Sequence, residues 1–592
     1  VYKDIKNAAG KVVVEKDALI ETGTTDSEGK LKFQADLPHG KFYVKELEKK
    51  PGYLDNEEIY HFDAGYTDSS KEVIELSCEI LNQPTITEFT KTDLTGGQEI
   101  EGAKLQILKD GEVIEEWVSE KEPHTVYALE PGEYILHEEQ APTDKGYVRA
   151  EDVVFVVEET GEVQKVEMQD DHTKVSISKT DITDGKEVEG AKLQIIDKEG
   201  NVIEEWVSGE EHLIERLTAG ETYTLREEMA PYGYLMAEEI TFTVEDTAEI
   251  QKVEMKDDVP TGTLIINKKG EFLDKVSVLD SVGGWIKHLF EYFSGSLKEV
   301  TFEVYALEDI KAADGESEDY YKKDALVATI TTDETGVAKL TDLPLGKYYV
   351  KEKETANGYV LDGETREVDL TYRDQNTAVV TYSADWQNKR QKAEVKVLKK
   401  AKDSDRVLEG AVFALCNKDD IVNAKGDVIL KADTVIEEQA TDKDGKLTFT
   451  ADLPLGHTYY VKETSPAPGF ATTDQVQEFT FEYGGAEKET LSYEFTFEDE
   501  ATTVEFTKTS LTDGKEIEGA KLKVTDESGN TVDEWTSGKE PHIIKELTVG
   551  KKYTMTETLP ADGYVTAESI TFTVEDTGEV QKVEMKDDVT KV

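Results

Sequence analysis

The chain has 592 residues and a formal net charge of −61 at pH 7, so it is too long for a single hydrophobic core and too acidic for nucleic acid or an anionic membrane surface to be a partner. Its two cysteines, Cys78 and Cys416, exclude a disulfide framework. Neither end has a signal peptide, a hydrophobic tail or a sorting motif, and no apolar run is long enough to cross a bilayer, so we expect both ends to be cut from a longer protein.

An internal repeat is the main signal in the sequence. The segment 89–171 (FTKTD…IEGAKLQI…EEW…QKVEMQDD) returns with few changes from Ile177 and again from Phe506, and looser copies cover the rest of the chain. The first copy enters the pattern at its second strand, because Val1 aligns with Val304, and it therefore lacks its first strand. The repeat predicts six domains, at 1–84, 85–172, 173–259, 260–390, 391–500 and 501–592.

Within each copy, short segments alternate apolar and polar residues and end at Gly, Pro, Asp or Asn. This period of two predicts an all-β chain in which each copy is an antiparallel β-sandwich. The linkers between copies are a few residues long and are not rich in Gly and Ser. We therefore expect neighbouring domains to be restrained and the chain to be a monomeric, semi-rigid rod.

Residues 271–297 interrupt the fourth copy between its lysine and its next strand. Trp285, Leu289 and Phe293 follow one another at a spacing of four, which predicts a helical insertion. We expect this helix to pack over its own sandwich or onto the adjoining domain. An adhesive or membrane-touching element is the alternative.

Each complete copy directs three polar side chains into its core. Residues two and four positions apart share one face of a strand, and in the first strand a lysine follows inward apolar residues, as Lys179 follows Val175 and Ile177. A glutamate in a later strand and an Asp or Asn in the last strand satisfy the same test. The lysines are Lys91, Lys179, Lys268, Lys399 and Lys508. The glutamates are Glu46, Glu138, Glu227, Glu352, Glu463 and Glu557. The last-strand residues are Asn82, Asp170, Asp257, Asn388, Asp499 and Asp587.

Three polar groups buried together must form a satisfied ion pair or react, because an unpaired buried charge is very costly. Desolvation lowers the pKa of a lysine and raises that of a carboxyl group, so a proton can pass between them and leave a neutral amine. The amine can then attack the Asp carboxyl or Asn carboxamide carbon while the glutamate shuttles protons. Water or ammonia leaves and an amide remains. The pattern predicts a single-turnover cross-link within each domain rather than an enzyme.

The first copy and the doubled aspartates need separate treatment. Three copies end in two consecutive aspartates, and the inward register selects the first, for example Asp170 rather than Asp171. In the first copy Glu46 and Asn82 are present, but the lysine would precede residue 1. We therefore expect Asn82 to stay unpaired.

At these residues the chain resembles the collagen-adhesin B-type and SpaA-type pilin domains of Gram-positive surface proteins. The matching motifs are the first-strand lysine in FTKTD, the turn Glu189-Gly190-Ala191, the strand that carries Glu227, and the Pro/Gly loop that ends at Tyr234. The resemblance implies prealbumin-like (reverse-immunoglobulin) β-sandwiches that form Lys to Asp or Asn isopeptide bonds spontaneously. Most copies here end in Asp where many family members have Asn.

We therefore expect a structural stalk of an adhesin on the cell wall of a Gram-positive bacterium, stabilised by these bonds against force and proteolysis. Its partners would be the neighbouring domains of the same protein and, through a tip domain outside this sequence, a host extracellular-matrix or glycan ligand. The alternatives are a subunit of a sortase-assembled pilus and a module that itself binds host matrix or glycan. No cofactor is expected; weak calcium binding at the Asp-rich turns 442–446 and 419–420, which do not form a complete calcium loop, is the alternative.

Overall fold

The computed structural model describes residues 1–67, 70–280, 284–402 and 404–590. These residues form two compact units, Val1–Val259 with Asp374–Asn376, and Pro260–Arg373 with Thr377–Val592. Within the described residues the structure is all-β apart from one 3₁₀ turn at Thr143–Lys145. The predicted fold class is therefore confirmed.

The described residues of the first unit contain eighteen strands, which fall into three groups along the chain. The first group is β1 (Ile5–Lys6), β2 (Val12–Val14), β3 (Gly40–Lys45) and β4 (Ile59–Ala64). The second group is β5 (Ile86–Asp93), β6 (Lys104–Lys109), β7 (Glu112–Val118), β8 (His124–Tyr127), β9 (Gly132–Gln140), β10 (Val153–Val157) and β11 (Val163–Asp170). The third group is β12 (Lys174–Asp181), β13 (Lys192–Ile196), β14 (Val202–Val207), β15 (His212–Glu215), β16 (Thr222–Met229), β17 (Ile240–Thr243) and β18 (Ile250–Asp257).

The second unit contains the strands of the fourth, fifth and sixth domains. The fourth domain has β19 (Thr261–Asp280), β20 (Ile286–Ser296), β21 (Thr301–Ala306), β22 (Leu326–Thr331), β23 (Val337–Pro344), β24 (Gly346–Glu354), β25 (Thr365–Leu370) and β26 (Val379–Gln387). The fifth has β27 (Lys392–Ala401), β28 (Val412–Asn417), β29 (Ile421–Val422), β30 (Val428–Leu430), β31 (Val435–Ala440), β32 (Lys446–Phe449), β33 (Thr458–Ser465), β34 (Val476–Thr480) and β35 (Thr490–Asp499). The sixth has β36 (Thr503–Ser510), β37 (Lys521–Thr525), β38 (Thr531–Thr536), β39 (His542–Lys545), β40 (Lys552–Leu559), β41 (Ile570–Thr573) and β42 (Val580–Asp587).

The second domain illustrates the topology of the sandwiches. One sheet has the strand order β11-β5-β8 and the other the order β10-β9-β6-β7. Their inward faces form a single core that includes Phe89 from the first sheet and Leu105, Ile107 and Leu136 from the second. The third and sixth domains repeat both sheets, with the same strand order.

The first and last strands of each complete domain are parallel neighbours. The pairs are β5 with β11, β12 with β18, β19 with β26, β27 with β35, and β36 with β42. The sequence predicted an antiparallel sandwich, and this one pairing departs from it. The two ends of a domain therefore run side by side in the same direction, with a fixed register between them.

The described residues on either side of 281–283 form a pair of antiparallel strands, β19 and β20, so the predicted helical insertion at 271–297 is wrong. We call this pair of strands the hairpin. β19 continues to Asp280 and pairs with β20, with Phe272 opposite Phe293. The spacing of four at Trp285, Leu289 and Phe293 misled the prediction, because a multiple of two also places these residues on one face of a strand. In the sequence, two consecutive glycines at 283 and 284 between two apolar runs are the pattern that favours a hairpin over a helix.

The hairpin packs onto the fifth domain. Phe290 on β20 is only 4% exposed and belongs to the hydrophobic core of that domain, against which Leu273, Val276 and Tyr292 also pack. Lys287 pairs with Glu437 of β31, which joins the two domains through one sheet. The fifth domain therefore takes part of its core from the fourth.

In each unit, an arginine also contacts residues of the neighbouring domain. In the first unit, Arg216 Nη2 donates a hydrogen bond to Asp93 Oδ2 (2.6 Å), and its guanidinium group lies 4.8 Å from the ring centre of Tyr147. In the second unit, Arg406 pairs with Glu546 (2.9 Å) and lies over the ring of Phe470. Such bidentate and stacked contacts suit the planar guanidinium group.

We expect the Phe290→Ala substitution to destabilise the fifth domain by about 3–5 kcal/mol, because it removes a buried aromatic side chain from the core. Cys416 is buried in that domain and Cys78 is exposed in the first, so the rate of thiol labelling of Cys416 in a Cys78→Ser background measures opening of the fifth domain.

Phe293→Ala, on the same strand, is the matched control for this experiment. Phe293 is 40% exposed, so its removal should leave the labelling rate of Cys416 nearly unchanged. Equal labelling rates in the two variants would contradict the contribution of the hairpin to the fifth core.

Candidate functional site

Five lysines lie in the interiors of the five complete domains. Each is at most 1% exposed, and all five are among the largest fully buried side chains of the chain. Alternation along the first strand causes this burial, since β12 shows Val175, Ile177 and Lys179 all directed inward. The lysines are Lys91, Lys179, Lys268, Lys399 and Lys508.

The parallel register places the last-strand residue beside the lysine. Lys91 on β5 lies opposite Met168 on β11, and Asp170 is two residues further along on the same face. The other four domains repeat this offset: Lys179 lies opposite Met255, Lys268 opposite Trp386, Lys399 opposite Phe497, and Lys508 opposite Met585. The five complete domains therefore share one strand register at this position.

In four domains the lysine contacts two carboxyl groups at once. Lys91 Nζ contacts Asp170 Oδ1 and lies 3.0 Å from Glu138 Oε2. The same close contact joins Lys179 to Asp257, Lys399 to Asp499, and Lys508 to Asp587. The corresponding lysine to glutamate distances are 3.1 Å to Glu227, 2.9 Å to Glu463 and 3.0 Å to Glu557.

The fourth domain has asparagine at the last-strand position. Lys268 Nζ lies 2.8 Å from Glu352 Oε2, while Asn388 Nδ2 donates hydrogen bonds to Glu352 Oε1 (2.5 Å) and Thr355 Oγ1 (2.7 Å). Glu352 thus has one oxygen facing the amine and the other facing the carboxamide. All three members of this site are buried.

Burial shifts the pKa values of these groups in the direction that favours their uncharged forms. Desolvation raises the pKa of Asp170 to about 7 and that of Asp257 to about 6. It also raises the pKa of Glu463 to about 7, and it lowers the pKa of Lys268. Burial therefore favours the uncharged carboxyl form at Asp170, Asp257 and Glu463 and the uncharged amine at Lys268.

Backbone N–H groups hold the glutamates in place, a feature that the sequence analysis missed. Ala150 N donates to Glu138 Oε2 (2.7 Å), Ala237 N to Glu227 Oε2 (2.6 Å), and Ala567 N to Glu557 Oε2 (2.7 Å). Thr473 N does the same for Glu463 (2.9 Å). Each donor follows a Pro/Gly loop that ends in Tyr, or in Phe470 in the fifth domain, and the recurrence of this loop after the glutamate was the available signal.

In the second domain, the second of the two consecutive aspartates, Asp171, faces away from the buried lysine. Asp171 forms an ion pair with Lys174 (2.7 Å) and its side chain is 21% exposed. In the first domain Asn82 Nδ2 donates to Glu46 Oε1 (2.8 Å), and both residues are half-buried. The structure thus brings together Glu46 and Asn82, with no lysine of this chain beside them in the described residues.

The described part of the chain offers no evident metal site. Within residues 1–67, 70–280, 284–402 and 404–590, no group of three or more His, Cys, Asp or Glu side chains is arranged to hold a metal ion. At the turn 442–446, Asp442 Oδ1 accepts hydrogen bonds from Asp444 N and Lys446 N, so this oxygen closes its own turn.

In the part of the chain that the structure describes, no helix has the length and apolar character needed to span a membrane.

Comparison with protein families gives one match, repeated along the chain. The model of the SpaA prealbumin-like fold domain matches residues 2–77, 85–172, 173–259, 293–386, 393–495 and 502–589. Six tandem domains are therefore confirmed. A comparison with curated proteins gives no match.

Several solved structures of Gram-positive proteins are similar to this chain. The Bacillus anthracis TIE protein is 21% identical with a TM-score of 0.38, over 68% of this chain and 69% of that chain. BcpA, the major pilin subunit of Bacillus cereus, is 15% identical with a TM-score of 0.27, over 56% of this chain and 100% of that chain. The major pilin SpaD of Corynebacterium diphtheriae is 16% identical with a TM-score of 0.24, over 56% and 98%.

We expect Asp170→Ala to destabilise the second domain by about 3–5 kcal/mol, because it removes a buried carboxyl group that contacts Lys91 and leaves Glu138 as the remaining partner of this lysine. Faster hydrogen exchange in peptides from β5 and β11 would report this loss.

Asp171→Ala is the control for the neighbouring position. Its ion pair with Lys174 is partly exposed, so the change should stay below about 1 kcal/mol. Similar hydrogen exchange in both variants would argue against Asp170 as the inward residue.

Proposed function

The chain belongs to the family of SpaA prealbumin-like domains, and we propose that it is a structural stalk on the surface of a Gram-positive bacterium whose complete domains each close a covalent Lys to Asp or Asn bond. The observation that carries this proposal is the contact between a buried first-strand lysine and a buried last-strand aspartate in a parallel pair of strands, seen in four domains. In the fourth domain Lys268 and Asn388 both contact Glu352. Anchoring to the cell wall and the absence of turnover on an external substrate belong to the same proposal.

The reaction begins with the neutral lysine amine. In the aspartate domains, the Nζ lone pair attacks the Cγ of the aspartic acid, and a new C–N bond forms. The glutamate accepts a proton from Nζ and returns one to the departing hydroxyl group, so that water leaves and a secondary amide remains. In the fourth domain the same steps release ammonia from Asn388. No oxidant, cofactor or other co-reactant is required.

Proximity of the reacting groups accounts for most of the acceleration of this reaction. The reacting groups are held by the register of two strands, and such neighbours can reach very large effective molarities. Each site acts once, because the amine and the carboxyl carbon are both consumed.

The position of the bond suits a stalk under tension. A force that pulls on the two ends of the sixth domain enters at β36 and leaves at β42, and a bond from Lys508 to Asp587 would join these strands directly. The strands between them would then bear little force. On the chain-entropy treatment of cross-links, closing a loop of 79 residues also stabilises the folded domain by about 4–5 kcal/mol.

Intact mass tests the chemistry. We expect the purified chain to be lighter than its calculated mass by four waters and one ammonia, from Asp170, Asp257, Asp499 and Asp587 and from Asn388. The Glu557→Gln variant preserves the shape of the sixth site but removes its proton shuttle, so its deficit should be one water smaller. A wild-type mass equal to the calculated value would reject the cross-links.

Single-molecule pulling tests the mechanical role. We expect no extension from the interior of the sixth domain in the wild-type chain. In the Glu557→Gln variant, the segment between Lys508 and Asp587, which lie 79 positions apart, should be released and lengthen the chain by about 270 Å, at about 3.3–3.6 Å per residue. Release of the same length from the wild-type domain would contradict the proposed force path.

A further inference from the structure

In the fourth domain, Thr355 contacts the residue that is proposed to react, Asn388. Its Oγ1 accepts a hydrogen bond from Asn388 Nδ2 (2.7 Å), and the same nitrogen donates to Glu352 Oε1 (2.5 Å). Both hydrogens of the Asn388 amide nitrogen are therefore in use. Asn388 Oδ1 is buried and has no hydrogen-bond partner in the described residues.

The corresponding position, three residues after the glutamate, has no hydroxyl group in the other complete domains. It holds Ala141, Ala230, Pro466 and Pro560 in the second, third, fifth and sixth domains. These are the four domains whose last strand ends in aspartate at the reacting position. Threonine at this position thus coincides with asparagine as the reacting residue.

The chemistry of the two residues explains why asparagine needs this contact. The two oxygens of a carboxyl group are equivalent except for one mobile proton, so either can face the lysine. The two ends of a carboxamide differ, and a flip would exchange Nδ2 with Oδ1. Only one orientation presents the nitrogen that must leave to the glutamate that must protonate it.

We propose that Thr355 is a positioning residue that makes the fourth domain specific for asparagine. This inference rests on the proposed cross-linking function. By accepting a hydrogen bond from Nδ2, Thr355 holds the Asn388 carboxamide with its nitrogen toward Glu352 Oε1. Glu352 Oε2 faces Lys268 Nζ at 2.8 Å, so the carboxyl group lies between the proton source and the leaving group.

The balance of the step follows from this arrangement. The Lys268 Nζ lone pair forms a bond to Asn388 Cγ, and a proton passes from Nζ to Glu352. Glu352 gives a proton to Nδ2, the bond from Cγ to Nδ2 breaks, and ammonia leaves. Oδ1 remains as the carbonyl oxygen of the new amide. Protonation of Nδ2 decides that ammonia leaves rather than the lysine amine.

The test follows formation of the cross-linked Lys268 peptide in the full chain during cell-free synthesis, sampled over time by mass spectrometry. Four variants are compared with the wild type: T355V, T355S, N388D, and T355V combined with N388D. The water losses of the other four complete domains in the same samples serve as internal standards of folding.

We expect T355V to slow ammonia loss by about tenfold, the size expected for one lost hydrogen bond to a reacting group, and T355S to restore the wild-type rate. In the N388D background, which loses water instead of ammonia, we expect T355V to change the rate by less than about twofold.

Two results would overturn the positioning role. One is ammonia loss at the wild-type rate in T355V. The other is an equal slowing by T355V in the asparagine and aspartate backgrounds, because that would indicate a general structural contribution of Thr355. A wild-type chain without a cross-link at Lys268 would reject the proposed function and the inference that rests on it, and this outcome is recognised without any substitution at residue 355.

Discussion

The parallel pairing of the first and last strands is the constraint on which each complete domain depends. It sets Lys91 opposite Met168 and brings Asp170 onto the same inward face. An amine and a carboxyl group therefore meet in the core, where neither side chain is more than 1% exposed. Full burial of a lone lysine would be prohibitive. The glutamate and its backbone N–H donor complete a small polar site around which the apolar residues of both sheets can pack.

A covalent bond at each polar site would compensate for the small hydrophobic core of each domain. Domains of this size bury a limited fraction of their surface and commonly need an additional constraint. The chain has only two cysteines, which lie in different domains and are both free. The proposed cross-link is made from common residues and needs no oxidant, and it would restrict the unfolded state as a disulfide does.

The alternation of strand residues made the polar sites predictable, while contacts formed by loops were not. Lys179 could be assigned inward because two residues before it on the same face are apolar. The spacing of Trp285, Leu289 and Phe293 failed as a guide, because it fits a helix and one face of a strand equally well, and only the glycine pair distinguishes the two. Ala150 and Thr355 act from irregular segments, where the sequence has no period from which orientation could be inferred.

Confinement of the chemistry within a domain also explains how the repeats can differ. An asparagine with its threonine in the fourth domain would require no change at the other proposed sites, because the lysine, the glutamate and the Asp or Asn of each site all come from one domain. The fourth and fifth domains share more than a short linker, since Phe290 completes the core that surrounds Lys399 and its partners. Loss of the hairpin would therefore affect the site of the fifth domain through packing, although the residues that react there all belong to the fifth domain itself.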